Sequence, residues 1–287
     1  MRILVTNDDG VEAPGIAALA KAAKRTGHEV VVVAPLIDWS GASAAVGAFY
    51  QRDGVEYRTF EIDGLEDTPI YGVDGPPALG VILACVGGFG PRPDLVLSGI
   101  NHGVNVGRSA LHSGTIGAVL TAAQFGLRGL ATSIRYGEDP VPWETPARLA
   151  EAFVPFLETS PIATVFNLNV PNVEWNELQG VRAARLGRGG TIRAVKYETD
   201  GEQPNNTTHR FPPGPRGTLQ LDLAIPGSAG QNAPDENESG DVDALLIGRN
   251  FATLTPLVGV HEANNMSPIA HDIAATLSDY VSAAQLA

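Results

Sequence analysis

The sequence predicts an α/β protein: an open, doubly wound, mostly parallel sheet with a β-rich C-terminal extension. Three observations predict it. Short β-branched runs alternate with helical patterns as far as Pro171, the sequence form of a parallel sheet covered by helices. Polar clusters follow these runs directly, at the edge where open α/β sheets bind ligands. Beyond Pro171 the composition shifts, and residues 204–240 are rich in Pro, Gly, Asn and acidic residues. With 287 residues, 44% apolar and 18% charged, the chain can bury a core that outweighs its chain entropy.

Taken in order, strands are expected at 3–6, 30–34, 95–98, 130–134 and 164–168, each a short run rich in Val, Ile or Leu. Helices are expected between them at 15–25, 77–86, 114–125 and 146–157, and right-handed crossovers make the sheet doubly wound. Residues 48–73 interrupt the pattern with Phe49, Tyr50, Val55, Tyr57 and Phe60 around Asp53-Gly54, which reads as a hairpin appended to the core. Strand-like pieces at 180–185, 191–197 and 219–225 flank the Pro- and Gly-rich arm, so a second, mainly β lobe is expected. The chain then returns through strands at 244–247 and 251–255 and closes with a helix over 267–284. The expected divisions are a core at 1–174, the extension at 175–243, and the return strands with the closing helix at 244–287.

Nineteen basic residues against 32 acidic ones give a formal charge of -13, a field that repels nucleic-acid polymers and anionic membrane surfaces. Small anionic substrates stay open, because one bound divalent cation reverses the local potential. Cys85 is the sole cysteine, which excludes an intrachain disulfide and a Cys-rich zinc site; its apolar setting at 81–86 suggests a core thiol. Ile3-Leu4-Val5 is far shorter than a signal-peptide apolar region, and no run reaches the ~18 apolar residues of a membrane span. A reducing, cytoplasmic location is the expectation.

The first strand leads to Asn7-Asp8-Asp9-Gly10, the second to Asp38-Trp39-Ser40-Gly41, and the third to Ser98-Gly99-Ile100-Asn101. Two adjacent carboxylates, a hydroxyl and an amide oxygen make a hard oxygen set suited to Mg²⁺ or Mn²⁺ rather than zinc. The alternative is that Asp8 and Asp9 cap the helix entered near Pro14; oxygen donors after the next two strands weigh against it. The loop from Gly99 to Gly107 holds three glycines and two asparagines, and Ser113-Gly114-Thr115 then opens a helix. Amides of such a loop and of a helix N-terminus favour phosphate, whereas simple N-capping also explains Ser113 and Thr115.

A phosphate cradle beside a divalent metal implies phosphoryl chemistry. In that reading the cation activates a water, Asp8 or Asp9 takes its proton, and Asn105, Ser113, Gly114 and Thr115 hold the developing charge. Candidate substrate walls are the loop 36–47, with Trp39 able to stack on a base and Gly41 beside it, and the turn 75–80. Trp39 reads equally as buried packing. His102 and His112 flank the cradle but read as structural loop histidines.

The segment from Met1 to Gly10, Ser40-Gly41-Ala42-Ser43, Ser98-Gly99-Ile100-Asn101, Asn105, Ser113-Gly114-Thr115 and Asn167-Leu168-Asn169-Val170-Pro171 together resemble the SurE family of survival-protein nucleotidases. The resemblance covers most of residues 1–171, weakens between 175 and 240, and returns at Asp241 and Leu254-Thr255-Pro256-Leu257. It implies a Rossmann-like core whose C-terminal segment is exchanged between subunits of a homodimer or homotetramer. It also implies metal-dependent hydrolysis of nucleoside 5′- and 3′-monophosphates and of other phosphate esters. By position, Asp8, Asp9, Ser40 and Asn101 match the family's ligands for one divalent ion per subunit, and Asn105, Ser113, Gly114 and Thr115 match its phosphate side. Where the family has G-T-P-A-D-C, this chain reads Gly75-Pro76-Pro77-Ala78-Leu79-Gly80, and Ser239-Gly240-Asp241 replaces the usual G-T-D.

A dinucleotide dehydrogenase would carry G-x-G-x-x-G where Asn7-Asp8-Asp9-Gly10-Val11-Glu12 stands. A phospho-accepting receiver would be shorter and would end its third strand in aspartate. The alternative that competes with an enzyme is a metal-dependent nucleotide-binding regulator without turnover.

Overall fold

A computed structural model describes residues 1–48, 53–189, 192–197, 219–223, 239–260, 270 and 273–275. The first strand, β1 (Arg2–Thr6), is buried along its whole length, as parallel strands covered on both faces are. α1 (Pro14–Arg25) follows, with Pro in its first turn, where a missing N–H costs nothing, and Lys24 and Arg25 at its negative end. Next come β2 (Glu29–Pro35), β3 (Tyr57–Thr59), β4 (Ile70–Val73), α2 (Pro77–Cys85) and β5 (Leu95–His102). A 3₁₀ turn at Gly107–His112 leads into α3 (Gly114–Gln124), β6 (Arg128–Ile134), α4 (Glu144–Thr159) and β7 (Val165–Val170). The chain continues through β8 (Val181–Ala183), β9 (Ile192–Tyr197), β10 (Leu219–Leu223), α5 (Asp243–Ile247) and β11 (Ala252–Leu257).

Nine strands form one sheet in the order β3-β4-β2-β1-β5-β6-β7-β11-β8, and β9 pairs with β10 in a separate antiparallel ribbon. From β4 to β7 all pairings are parallel; β3 and β11 run antiparallel to β4 and β7. The strand order reverses at β1, which pairs with β2 on one side and β5 on the other, so the ligand crevice of a doubly wound sheet falls beyond Thr6 and Ser98. One apolar core, with Ile16, Leu19, Leu97, Leu130 and Val154, lies under α1 and α4; a second, with Leu4, Val81, Val96, Val119 and Ala131, lies under α2 and α3. Cys85 is buried in the second, and burial pushes its thiol up to about 11.

Every core strand and helix expected through residue 170 is present, with three corrections nearby and beyond. β5 continues through Asn101 and His102 after a register shift past Ser98, so Asn101 lies within the strand rather than after it. The hairpin turns between Thr59 and Ile70, not at Asp53-Gly54. Its strand β4 is an integral sheet strand beside β2, not an appendage. Gly64, with φ of 77°, and Leu65, 1% exposed, make and anchor that turn. Residues 244–247 are helical where a strand was expected, because α5 packs its Leu246 and Ile247 inward in a single turn. Phe49, Tyr50 and most of 198–238 and 261–287 lie outside the described residues, although 270 and 273–275 are helical. Met1–Leu257 forms one compact unit and Val258–Ala287 another. No helix among the described residues is long and apolar enough to cross a membrane.

Candidate active site

On the face toward α2 and α3 the strands become polar at their carboxyl ends. Thr6 is level with Ser98, Ser98 with Ala131, Ala131 with Asn167 and Asn167 with Thr255; one row further, Ser133 is level with Asn169 and Asn169 with Thr253. Residues in register share a face, and Leu4, Val96 and Ala131 fix that face as the one under α3. The polar members of both rows are buried.

Asp8 continues this face from the end of β1 and is 3% exposed. The Thr115 hydroxyl donates to Asp8 Oδ1 at 2.5 Å, and the Thr115 backbone N–H also bonds to this carboxylate. Gly114 lies against it: a Cβ there would be 2.8 Å from Asp8 Oδ2. Asp8 therefore sits at the positive end of α3. It does not cap α1, whose N-cap is Ala13 without a side-chain bond. Burial raises the Asp8 pKa, opposed by Thr115. Asp9 is pushed up to about 7, first by burial, then by the charges of Asp8 and Asp38, against a backbone bond from His102. Asp38, named in the cluster after the second strand but given no role there, is thus a third carboxylate in the field of the pair.

The loop after β2 is fastened to these groups through its backbone. Trp39 N–H donates to the Asp8 carbonyl at 2.8 Å, Ser40 N–H to Asp38 Oδ1 at 2.7 Å, and Ser43 N–H to the His112 carbonyl at 3.1 Å. Ser40 and Gly41 are exposed and Trp39 is half-buried, its indole N–H enclosed without a partner among the described residues. Asn101 is half-buried and its amide nitrogen donates to the Gly103 carbonyl.

Asn105 is bolted to the polar rows. Its N–H donates to Asn169 Oδ1 at 2.7 Å and its side-chain Nδ2 to Ser133 Oγ at 3.0 Å, while its carbonyl accepts from Asn167 and Asn169 at 2.8 and 3.1 Å. Ser133 and the two asparagines as supports of Asn105 were missed. The signal was available, since asparagine alternating with Leu and Val in a strand places two amides on one face. Ser113 is the N-cap of α3, its Oγ accepting from the Ile116 N–H at 3.1 Å.

Gly75, Pro76, Pro77, Ala78, Leu79 and Gly80 are all buried, so the turn 75–80 is core rather than an open substrate wall. The His102 ring stacks on Tyr136 with centroids 4.5 Å apart and meets Trp143 edge-on, a structural role. His112 is exposed. Among the described residues no three His, Cys, Asp or Glu groups gather as a metal cluster, so a cation here would depend on Ser and Asn oxygens as well as carboxylates.

The family model for Survival protein SurE matches residues 3–192. A protein named 5′-nucleotidase SurE from Xylella fastidiosa (strain M12) is 40% identical over 263 residues, covering 90% of this chain and 89% of the relative. Its namesake from Alkalilimnicola ehrlichii is 35% identical over 259 residues, with 90% and 89% covered. The crystal structure of SurE protein from Aquifex aeolicus superposes with a TM-score of 0.71 at 26% identity, covering 93% of this chain and 96% of that one.

Proposed function

The chain belongs to the SurE family, and we propose that it is a metal-dependent phosphomonoesterase that hydrolyses nucleoside 5′- and 3′-monophosphates to nucleoside and phosphate. The observation that carries this reading is the adjacent pair Asp8, buried and fixed by Thr115 at the N-terminus of α3, and Asp9, half-buried beside it. Two carboxylates raised by burial, Asp9 also by the charge of Asp8 and both by that of Asp38, fit a divalent cation, which relieves these penalties. The donor oxygens of Asp8, Asp9, Ser40 and Asn101 suit Mg²⁺ or Mn²⁺. The Asn101 amide nitrogen is engaged by the Gly103 carbonyl, which supports its oxygen as the ligand atom in this reading. When bound, the ion supplies Lewis acidity for attack by water on phosphorus.

The chain's own groups supply the rest. Asp8 is engaged by Thr115, so Asp9 is the better acceptor for the water's proton. Asn105 Nδ2 has a second N–H besides the one given to Ser133, and the Ser113 hydroxyl keeps its own proton while accepting from Ile116. These donors and the helix N-terminus stabilise charge on the phosphoryl oxygens. Trp39, half-buried beside Asp8, stacks on the base, and exposed Gly41 leaves room for substrate. The relatives' names support the nucleotidase reading. The family resemblance supports a homodimer or homotetramer with exchanged C-terminal segments, and a reducing, cytoplasmic location belongs to the same proposal.

Phosphate release from purine and pyrimidine 5′- and 3′-monophosphates, sugar phosphates and short polyphosphate, with Mg²⁺, Mn²⁺ or chelator, tests the proposal. Nucleotides should lead the panel and chelator should abolish release. Full rate in chelator overturns the metal, and nucleotide binding without release turns the reading toward a regulator. Unchanged specificity constants in Trp39→Ala overturn the stacking role.

A further inference from the structure

Asp243 opens α5 and is fully buried. A carboxylate in that position needs its lone pairs satisfied, and backbone amides of three segments do so. Oδ2 accepts from the Gly107 N–H at 2.8 Å, and Oδ1 accepts from the Gly187 N–H at 3.0 Å and the Ala244 N–H at 2.8 Å. The segments also touch directly. Arg108 N–H donates to the Gly189 carbonyl at 2.9 Å, and Asp243 N–H to the Arg185 carbonyl at 3.1 Å. Gly107 has φ of 58°, and a Cβ there would stand 2.7 Å from the Gly189 carbonyl oxygen, so two backbones meet with no room for a side chain.

We propose that Asp243 is a positioning residue for the loop 105–112. It fixes the loop's far side, while Ser133, Asn167 and Asn169 fix Asn105 from the sheet. Val106, between the two anchors, is buried with Val104 and Ile247, so α5 supplies an apolar contact as well as the carboxylate. Through this loop the segments at 185–189 and 243–247 set where Asn105 and Ser113 stand. The catalytic consequence rests on the reading of those two as phosphate ligands. Asparagine cannot replace Asp243, because it offers one acceptor oxygen and turns an NH₂ group against a backbone N–H.

The test compares Asp243→Asn with Leu246→Ala in the full-length protein. Leu246→Ala removes packing from the same helix and leaves the carboxylate in place. Asp243→Asn should lower kcat/KM for a phosphomonoester by at least about tenfold, the size of one lost charge-assisted hydrogen bond. It should also speed hydrogen exchange at the 105–108 amides. Leu246→Ala, at equal loss of Tm, should do neither. Equal losses of activity and Tm in both variants, or unchanged exchange at Gly107 in Asp243→Asn, overturn the proposal. If the unmodified protein releases no phosphate while Asp243→Asn still frees the Gly107 amide, the anchor stands and the phosphatase reading falls.

Discussion

Under α1 and α4 the sheet is mainly apolar to the tips of its strands, through Leu97, Ile134, Leu168 and Val170 and interrupted by Thr132 between Leu130 and Ile134, whereas under α2 and α3 the same strands turn from Leu4, Val96 and Val165 to Thr6, Ser98, Asn167 and Asn169. The alternation of side chains makes this possible, because a strand can pack one face and present donors on the other at the same height. The first face stabilises the fold and the second tolerates buried polar atoms for the sake of the site. Substitutions on the two faces should therefore separate activity from stability.

The largest expected effect lies on the polar face. Asp9→Asn should lower kcat at least about a thousandfold, since in the proposed mechanism it removes both a cation ligand and the proton acceptor. Its Tm without added metal should not fall, because the variant loses a buried charge that Asp8 and Asp38 oppose. Parallel loss of kcat and Tm would erase the distinction between the faces. The mirror experiment is Leu130→Ala, fully buried on the other face, which should cost about 2–5 kcal/mol in denaturant unfolding. Its kcat/KM at a temperature where it stays folded should match the parent chain.

A smaller effect distinguishes the faces by pH. Asp9 has its carboxyl raised from 3.8 to about 7, so the folded chain binds this proton more tightly than the unfolded one. Stability of the metal-free protein should therefore fall as pH rises from about 4 to about 7 and level off above. Urea titrations of the chelated protein should show this slope, to which Asp8, likewise raised by burial, adds, and Asp9→Asn should reduce it. A bound divalent cation stabilises by mass action and should reverse the slope. A slope unchanged in Asp9→Asn would assign it to another group.

The apolar face was the more legible from sequence, for the same physical reason. Runs such as Val30 to Ala34 are readable because burial on both sides of a parallel strand demands them. The polar face was legible at its motifs, Asn7-Asp8-Asp9-Gly10 and Ser113-Gly114-Thr115. The reach of β5 through Gly99 to His102 was not, since Gly-Ile-Asn-His reads as loop and a register shift depends on β6 beside it. Nor was α5, because Ala-Leu-Leu-Ile is too short for periodicity to tell helix from strand. Asp243 lay beyond reach for a different reason: its partners, Gly107 and Gly187, are distant in sequence and offer only backbone.

The smallest expected effect asks where the site ends along the polar face. Thr255, on β11 level with Asn167, is buried, and its hydroxyl has no partner among the described residues. An unpaired buried hydroxyl opposes folding, so Thr255→Val, which keeps the shape and removes the hydroxyl, should leave stability unchanged or raise it by up to about 1 kcal/mol. Activity should not move, because Asn105 is held by Asn167 and Asn169 through hydrogen bonds in which the Thr255 hydroxyl takes no part. Denaturant unfolding and kcat/KM check both parts. A loss of stability above about 1.5 kcal/mol would mean that a buried water joins Thr255 to Asn167, whose Oδ1 is likewise enclosed without a partner among the described residues. In that event the network supporting Asn105 extends from β6 and β7 to β11, and the boundary between site and scaffold moves out by one strand.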